Sequence, residues 1–416
     1  MKRLMLILPS TTYRTHDFMA AATKLNLDLV VASDHRQAMA SLIPDTTLAL
    51  NFRKPEEVVH RVQEFHQKKP LDVVIGVDDT SVYLAGLVSE KLGKPHNPIP
   101  ALEAARNKFL MREKLQKARL LSPGFQRYSI SQRVSKIAKK TNYPSVVKPT
   151  FLSASRGVIR VNNAKEMENA LEFLKELLSS PEVSSRAYGK EAREVLVEDY
   201  IPGLEVALEG ILVKGELKTL AIFDKPDPLE GPYFIETIYT TPSRLPGYVQ
   251  REVIHTAWRA ARALGLEQGP VHAEMRINED GCWVVEIAAR SIGGLCSRIL
   301  RFTQNITLEE VILRAAIGEN IQDIQRESSA AGVMMIPVEE EGILKQVKNV
   351  ERANAIDGIE DVIITIPNGQ ELTPMPQGGK YLGFIFARKK TPEEVEQALR
   401  KAYQQLEIAI EHRVKF

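Results

Sequence analysis

Short apolar runs alternate with amphipathic stretches over the first part of the chain. Four runs have the length and β-branched character of strands: Leu4–Leu8, Leu27–Val31, Thr47–Leu50 and Asp72–Val77. Stretches with helical periodicity lie between them, near residues 14–24, 55–67 and 80–92. Such alternation is typical of parallel sheets with crossover helices. The pattern therefore predicts a small, open, parallel α/β domain over residues 1–100.

From about residue 107 the pattern changes to helices mixed with antiparallel strands. The expected elements are a helix beginning near Asn107, strands at Ser145–Lys148, Gly157–Val161 and Glu194–Asp199, and a helix over 163–180. Two further strands, Glu205–Val213 and Leu217–Lys225, are expected to join through the turn Lys214–Glu216. A helix near 246–264 then leads into a hairpin at 270–290. The section 101–325 therefore has α+β character.

The last section, residues 326–416, is predicted to be rich in strands. Strands are expected near Gly332–Glu339, Asp361–Pro367 and Tyr381–Arg388. A final helix begins after Thr391, because Thr391 can cap it, Pro392 suits the first turn and Glu394 completes a capping box.

Charge and cysteine content exclude several classes of protein. The 416 residues include 55 Lys and Arg against 53 Asp and Glu, a formal charge of +2, and basic residues cluster only in pairs such as Lys68-Lys69. This argues against nucleic acid as a partner, although a basic stripe assembled only in the folded chain stays open. Cys282 and Cys296 are too few for a disulfide framework and lack metal-site spacing, which indicates a reducing compartment.

The amino terminus has one feature of an export signal, since Lys2-Arg3 precedes the apolar run Leu4–Leu8. Pro9 ends that run before it reaches the ~7–15 apolar residues that a signal requires, so a buried first strand is the better interpretation. No apolar run approaches the ~18 residues that span a bilayer. We expect a soluble, cytoplasmic protein without a membrane partner.

Several common nucleotide and hydrolase motifs are absent from the sequence. It contains no Gly-x-Gly, so the pyrophosphate turn of a dinucleotide-binding domain is missing. It also contains no P-loop, no His-Glu-x-x-His and no Gly-x-Ser-x-Gly motif. These absences argue against P-loop enzymes, zinc proteases and serine hydrolases of the nucleophile-elbow type.

The predicted hairpin at 270–290 carries one glutamate on each strand. The pairing register of its two strands decides whether the two carboxylates are neighbours. If Glu279–Gly281 forms a three-residue loop with Gly281 in the left-handed region, opposed residues have numbers summing to 560. The apolar pairs on one face are then Ile277–Trp283, Met275–Val285 and Ala273–Ile287. On the other face, Glu274 lies directly opposite Glu286. A two-residue Asp280-Gly281 turn would instead place the glutamates on opposite faces and mix apolar with charged positions.

Two carboxylates facing each other across a sheet repel and destabilise it. A hard divalent cation reverses that effect, and Mg²⁺ typically binds one or two carboxylates together with substrate phosphates. The alternative is a solvent-exposed hairpin in which each glutamate pairs with Lys or Arg. Arg290 lies further along the same strand and precedes Gly293-Gly294, an arrangement suited to a phosphate or an oxyanion, with a surface salt bridge as the alternative.

Together, these features resemble the ATP-grasp superfamily, particularly its carboxylate–amine ligases of the L-amino-acid (dipeptide) ligase type. The resemblance covers most of the chain and rests on an ordered set of motifs: Asn107-Lys108, Val147–Pro149, Leu152–Val158, Val197–Gly203 with Glu205, Val285–Arg290 with Gly293-Gly294, and Leu382–Phe386. It implies an ATP-grasp fold, with an N-terminal open parallel α/β domain, a nucleotide-binding region over 101–325 and a C-terminal β-rich closing subdomain over 326–416.

The resemblance implies an ATP site. Lys108 and Lys148 match the two lysines that contact ATP phosphates in the family, a role that suits compact cations. The loop that closes over the phosphates matches Ser153, Ser155, Arg156 and Gly157. The hinge that binds adenine matches Glu198, Asp199, Tyr200 and Ile201, and the acid on the ribose matches Glu205. Lys225 is expected as a further phosphate contact, with a structural role as the alternative.

The resemblance also implies a substrate site. Glu236 matches an acid that dipeptide-type ligases present to a substrate ammonium, and Tyr239 lies where some relatives have a histidine near the amino substrate. Arg290, Gly293 and Gly294 are expected to contact the substrate, and the small Gly294 suggests a roomy acyl pocket. For Glu236, a structural role is the alternative.

Two departures from the family pattern stand out. Leu152 and Ala154 occupy positions of the phosphate loop where many relatives have glycine. Ala288 occupies a position often held by an asparagine metal ligand. Metal binding would therefore depend on Glu274 and Glu286 together with phosphate oxygens and water.

The expected activity is ATP-dependent joining of a carboxylate to an amine, most simply two amino acids, through an acyl phosphate with release of ADP and phosphate. Mg²⁺ is the expected cofactor with Mn²⁺ as the alternative, and Lys148 and Arg290 are the expected catalytic residues. The alternatives are a purine-pathway or carboxylase-type ligase, a non-catalytic ATP-binding module and a purely structural protein. The partners are small-molecule substrates. A homodimer is left open.

Overall fold

The structure is a computed structural model that describes residues 1–35, 46–184 and 187–412. The first elements along the chain are β1 (Arg3–Leu8), α1 (Thr15–Lys24), β2 (Asp28–Ser33), β3 (Thr47–Ala49), α2 (Pro55–Lys68), β4 (Val73–Gly76) and α3 (Asp79–Leu92). The four strands form one sheet in the order β3-β2-β1-β4, and every pairing is parallel. The prediction of a parallel amino-terminal α/β sheet is confirmed.

The continuous apolar run of β1 is explained by burial on both faces of this sheet. Leu4, Leu6 and Leu8 pack into a core that includes α1, whereas Met5 and Ile7 pack into a second core that includes α2 and α3. A strand of a parallel sheet covered on both faces is expected to be apolar throughout rather than alternating.

The next elements form a smaller layer of sheet and helix. They are α4 (Ile99–Arg106), α5 (Lys108–Lys117), β5 (Phe125–Ser129), α6 (Val134–Ala138), β6 (Ser145–Pro149), β7 (Ile159–Val161), α7 (Ala164–Ser179), α8 (Pro181–Ser184) and β8 (Glu194–Asp199). The strands form an antiparallel sheet in the order β5-β8-β6-β7. Asn163 caps α7 by accepting from the backbone N–H groups of Lys165 and Glu166, and the buried face of α7 packs on the sheet.

The remaining elements are mostly antiparallel strands. They are β9 (Leu204–Val213), β10 (Glu216–Asp224), β11 (Ile238–Thr241), α9 (Gly247–Leu264), β12 (Gly269–Asn278), β13 (Gly281–Ala288), β14 (Arg301–Phe302), β15 (Ile306–Thr307), α10 (Leu308–Ala316), β16 (Ala330–Ile336), β17 (Gly342–Lys348), α11 (Val350–Asn354), β18 (Ile359–Ile364), β19 (Glu371–Leu372), β20 (Gly383–Lys389), α12 (Pro392–Tyr403) and β21 (Glu407–Glu411). Eight of them form one sheet in the order β13-β12-β9-β10-β11-β16-β20-β18. A separate three-stranded sheet has the order β19-β17-β21. The expectations of antiparallel strands in the central section and of a strand-rich carboxyl-terminal section are confirmed, and the carboxyl-terminal strands also pair antiparallel.

The turn between β9 and β10 is one residue shorter than predicted. Glu216 pairs with Val213, so the loop is Lys214-Gly215 alone. Both loop residues have positive φ, 52° and 82°. A two-residue hairpin turn requires this conformation to match the twist of its strands, and glycine adopts it without steric cost.

The β12–β13 hairpin has the predicted register only in part. Glu274 pairs with Glu286 and Ala273 with Ile287, as predicted, but beyond a bulge Met275 pairs with Val284 and Ile277 with Cys282. The three-residue loop is therefore wrong, because Asn278 pairs with Gly281 and leaves a two-residue turn. The bulge places one extra residue on β13 and changes the direction in which the neighbouring side chains point.

The bulge changes which side chains of β13 enter the core. Cys282 and Val284 are buried, whereas Trp283 is half-buried and Val285 lines the cavity described below. The predicted core pairs Ile277–Trp283 and Met275–Val285 are thus wrong. Alternation along the strand could not show this, since Trp283 and Val285 are as apolar as Cys282 and Val284.

Other features of the sequence have direct counterparts. Thr391 and Glu394 form the predicted capping box at the start of α12, with Pro392 in its first turn. Cys282 and Cys296 are both buried free thiols. Among the described residues, no helix combines the length and the apolar character needed to cross a bilayer.

Candidate active site

A cavity of about 320 Å³ lies where the amino-terminal section, the small antiparallel sheet and the eight-stranded sheet meet. Strands β6, β8, β9, β12 and β13 each contribute side chains to its walls. Most of the predicted site residues line it: Lys108, Lys148, Ser153, Ser155, Glu198, Asp199, Tyr200, Ile201, Glu205, Glu236, Tyr239, Glu274, Glu286, Arg290, Gly293 and Gly294. Residues far apart in sequence therefore share one concave, charged site.

One wall of the cavity is built on a buried ion triad. The carboxylate of Glu198 lies 2.5 Å from Lys148 Nζ and 2.7 Å from Arg112 Nε, and the side chains are almost fully buried. Arg112 also donates from Nη2 to the carbonyl of Val285 at 2.6 Å. Burial alone would raise the pKa of Glu198, but Arg112 and Lys148 lower it below its usual value. Glu198 therefore stays ionised and fixes Lys148 in the cavity wall.

Lys108 occupies the start of α5, which Asn107 caps by accepting from the N–H of Phe109 and the N–H of Leu110. Its ammonium donates to the carbonyl of Leu152 at 2.7 Å and lies 3.2 Å from Glu286 Oε1. Lys108 thus connects the loop after β6 with the second glutamate of the hairpin.

Three carboxylates meet in another part of the cavity wall. Glu205, Glu236 and Glu274 each place an oxygen within 4.8 Å of the others. The ammonium of Lys225 lies among them, 2.7 Å from Glu205, 3.3 Å from Glu274 and in hydrogen-bond contact with Glu236. Burial alone would lower the pKa of Lys225, but the three glutamates raise it well above its usual value. Lys225 is therefore a buried cation that offsets part of the negative charge of the three glutamates.

The acidic cluster contains one of the two predicted metal ligands, Glu274, but not the other, Glu286. Glu274 and Glu286 face each other in register, and Glu205 and Glu236 supply further carboxylate oxygens next to Glu274. Such a set of hard oxygen donors suits Mg²⁺ or Mn²⁺.

His272 holds Glu274 in place. Its Nδ1 lies 3.0 Å from Glu209 Oε2, and its Nε2 lies 3.6 Å from Glu274 Oε1. Burial alone would lower the pKa of His272, but its contacts with Glu209 and Glu274 raise it to about 9. The ring is therefore an imidazolium that donates toward both carboxylates. Glu209 also accepts from the backbone N–H of Ile292 at 3.0 Å, which fixes the segment after Arg290.

The predicted phosphoryl contact Arg290 is oriented by the amino-terminal section. Its Nε donates to Asp79 Oδ1 at 3.0 Å, at the start of α3. Burial alone would lower the pKa of Arg290, but Asp79 and Glu286 raise it, so the guanidinium is always charged. Arg14 supports the next residues from the same section, donating to the Ser291 hydroxyl and, at 3.0 Å, to the carbonyl of Ile292.

The glycines that follow Arg290 differ from each other. Gly294 has φ of 61°, and a Cβ there would lie 3.0 Å from the ring of Phe384. Its small size therefore has a structural reason besides any effect on pocket volume. A Cβ on Gly293 would meet no atom within 4 Å, so that residue faces open space.

The loop after β6 presents only part of its predicted residues to the cavity. Ser153 and Ser155 line it, together with Ala154 and Leu152. Among the described lining residues, Arg156, Gly157 and Lys225 do not appear. Arg156 instead contacts Glu182 and the carbonyl of Gln377. These contacts do not favour the predicted direct contact of Arg156 with ATP phosphates.

The predicted adenine and ribose side is braced by Arg276. This residue donates to Glu205 Oε2 at 2.8 Å and to the carbonyl of Ile201 at 2.7 Å. Its guanidinium carbon lies 5.2 Å from the ring of Tyr200 and 5.5 Å from that of Phe234. The bend between β8 and β9 is therefore held by a cation that lies beside two stacked aromatic rings.

Sequence reasoning missed several side chains of this site. Arg112 could have been found, because it lies one helical turn after Lys108 and therefore on the same face of α5. His272 could also have been found, since it lies two residues before Glu274 on the same strand face. Arg14 and Asp79 gave no signal, because they contact residues 211 or more positions away.

Replacing Glu198 by Gln should destabilise the protein strongly. The substitution leaves Lys148 and Arg112 buried without a carboxylate, and breaking such a buried pair costs about 3–5 kcal/mol. Glu194→Gln, at the partly exposed start of the same strand where Glu194 pairs with Arg127, should cost about 0–1 kcal/mol. Denaturant unfolding of the two variants measures the difference. Equal, small losses would show that the triad does not hold the wall.

Three family models match the chain. They describe an ATP-grasp N-terminal domain over residues 19–96, an ATP-grasp domain over 141–299 and the L-amino acid ligase C-terminal domain 2 over 334–411. Among curated proteins, the chain is 29% identical over 282 residues to carnosine synthase 1 of Gallus gallus, covering 65% of this chain and 30% of that one. It is 27% identical over 259 residues to the alanine–anticapsin ligase of Bacillus subtilis strain 168, covering 58% and 53%.

The chain thus spans about half the length, or less, of these two curated relatives. Its fold is similar to the crystal structure of an L-amino acid ligase from Bacillus licheniformis, with a TM-score of 0.82, 24% identity and coverage of 99% of both chains. The shared fold comprises the parallel amino-terminal sheet and the antiparallel central and carboxyl-terminal sheets. The chain belongs to the ATP-grasp superfamily and carries the C-terminal domain of its L-amino acid ligase family.

Proposed function

We propose that this protein is an ATP-dependent ligase that joins the carboxylate of one amino acid to the amine of another, with release of ADP and phosphate. The observation that carries this proposal is a single cavity in which Lys108, Lys148 and Arg290 face the glutamates of the β12–β13 hairpin. Similarity to the alanine–anticapsin ligase supports the choice of amino acids as substrates.

The charges of the cavity suit a triphosphate. In the structure each of these cations has a carboxylate partner: Lys108 has Glu286, Lys148 has Glu198 and Arg290 has Asp79. A bound polyanion would share these cations, and burial would make their attraction stronger than in water. Ser153 and Ser155 offer hydroxyls and backbone N–H groups to the same phosphates.

In the first step, a carboxylate oxygen of one substrate attacks the γ-phosphorus of ATP. A new O–P bond forms, the bond to the β-phosphate oxygen breaks, and ADP leaves. Lys148 and Lys108 would offset the charge on the phosphate oxygens, while Arg290 would hold the transferring group in line.

In the second step, the amine of the other substrate attacks the carbon of the acyl phosphate. The resulting tetrahedral oxyanion collapses, the bond from carbon to the phosphate oxygen breaks, phosphate leaves with the electron pair of that bond, and the nitrogen loses a proton to solvent as the amide forms. Arg290, whose Nε donates to Asp79, would stabilise that oxyanion. Glu236, which accepts from the Tyr239 hydroxyl at 2.6 Å, would bind a substrate ammonium.

Glu274 and Glu286 would hold Mg²⁺, with Mn²⁺ as the alternative. A bound divalent ion would supply charge compensation for the phosphate oxygens. Ala288 lines the cavity without a ligand atom, so the remaining coordination would fall to phosphate and water. His272 and Glu209 would keep Glu274 in a fixed orientation.

The proposal is tested by screening pairs of free amino acids with ATP and Mg²⁺ for phosphate release, followed by mass spectrometry of positive wells. We expect a product whose mass equals both substrates minus water. Activity with bicarbonate or a ribosylamine instead would favour the purine-pathway or carboxylase alternative. ATP binding without turnover in a broad screen would favour a non-catalytic module.

Replacing Glu286 by Ala should reduce ADP formation by at least about a hundredfold while leaving the fold intact, because the proposed metal loses one of two protein carboxylates. The matched control is Glu279→Ala, in the exposed turn of the same hairpin, which should retain activity. Steady-state ADP formation and circular dichroism of both variants provide the comparison. Full activity of the Glu286 variant would remove that residue from the proposed metal site.

A further inference from the structure

Arg156 connects three segments of the chain. Its Nη1 and Nη2 lie 3.0 and 3.1 Å from the two carboxylate oxygens of Glu182 on α8. Its Nε donates to the carbonyl of Gln377 at 2.8 Å, in the segment between β19 and β20. A bidentate pairing of this kind fixes the plane of the guanidinium as well as its position.

Backbone contacts run alongside the Arg156 side chain. The N–H of Gly157 donates to the carbonyl of Pro376 at 3.0 Å. A Cβ on Gly379 would lie 3.7 Å from Arg156 Cδ and 4.0 Å from Ala154 Cβ, so the two segments are in close contact. The loop that lines the cavity therefore lies directly against the carboxyl-terminal section.

The carboxyl-terminal segment is itself tightly folded. The N–H of Gly378 donates to the carbonyl of Pro374 at 2.8 Å. A Cβ at Gly378 would lie 1.9 Å from the carbonyl oxygen of Thr373, so only glycine fits there. A tight turn therefore presents the carbonyls of Pro376 and Gln377 to the loop in fixed positions.

The loop after β6 needs an external restraint. Ala154 and Ser155 have φ of 55° and 52°, a region that residues other than glycine rarely adopt. Such a conformation persists only where surrounding contacts hold it. Ser155 lines the cavity, whereas Arg156, the next residue, is fully engaged with Glu182 and Gln377.

We propose that Arg156, Glu182 and Gln377 form a clasp that holds the cavity loop closed, so that Arg156 is a positioning residue rather than a phosphate ligand. The inference rests on the proposed ligase function for its consequence. If water instead of the amine reaches the acyl phosphate, the carboxylate is regenerated and phosphate is released without an amide. A closed loop excludes that water. The clasp therefore sets how much ATP turnover ends in amide formation.

Arg156→Lys and Glu182→Gln test the clasp. Lysine keeps a charge that could serve a phosphate but cannot make the bidentate pair. Glu182 lies on α8, outside the described lining of the cavity, and cannot act as a phosphate ligand. Hydrogen exchange of residues 152–158 and 373–380 in the substrate-free protein should rise about fivefold in both variants. The ratio of phosphate released to amide formed should also rise in both.

Glu168→Gln is the matched control, because Glu168 pairs with Lys165 on the exposed face of α7 in the same part of the chain, at 3.0 Å. It should change neither measurement. Wild-type exchange and a wild-type phosphate-to-amide ratio in Glu182→Gln would overturn the proposal, as would full retention of both by Arg156→Lys. Because exchange is measured without substrates, faster exchange with no amide from any substrate pair would leave the clasp standing and count against the ligase proposal.

Discussion

Buried charges that must be paired organise this molecule around its cavity. Glu198 is almost completely enclosed and touches both Lys148 and Arg112. Removing an ion from water costs several kcal/mol, and only close partners offset that cost. The fold therefore has to bring α5, β6 and β8 together accurately enough for the three side chains to meet. The same requirement applies at the acidic cluster, where Lys225 contacts three glutamates and offsets part of their negative charge.

These pairings connect distant sections of the chain. Asp79 and Arg14 come from the amino-terminal section and hold Arg290 and the residues after it. His272 and Glu209 hold Glu274 and the same segment from the eight-stranded sheet. Arg156 connects the loop after β6 to the carboxyl-terminal section through the carbonyl of Gln377. A ligand with several negative charges would therefore meet groups that are oriented before it binds, which is the arrangement that favours transition-state stabilisation by charge.

The sequence was informative where local rules decide the outcome. Alternation along β12 and β13 placed Glu274 opposite Glu286, and the capping box at Thr391 located α12. The sequence pattern did not predict the bulge at Val285, because the neighbouring residues are equally apolar in either register. The sequence also did not predict the three-carboxylate cluster, because its residues come from separate segments of the chain. The contact of Arg156 with Gln377 was not predictable either, because the two residues are 221 positions apart. Side-chain chemistry was readable from the chain, but which charges neutralise each other was a property of the assembled fold.

The proposed ligase function depends on activation of a substrate carboxylate as an acyl phosphate in this cavity. The most direct measurement supplies the first amino acid with ¹⁸O in both carboxylate oxygens and analyses the released phosphate by mass spectrometry. Acyl-phosphate chemistry moves one labelled oxygen into each phosphate formed together with an amide, while the other stays in the amide. Phosphate without label, accompanied by amide formation, would show that the carboxylate is not activated by transfer of the phosphoryl group.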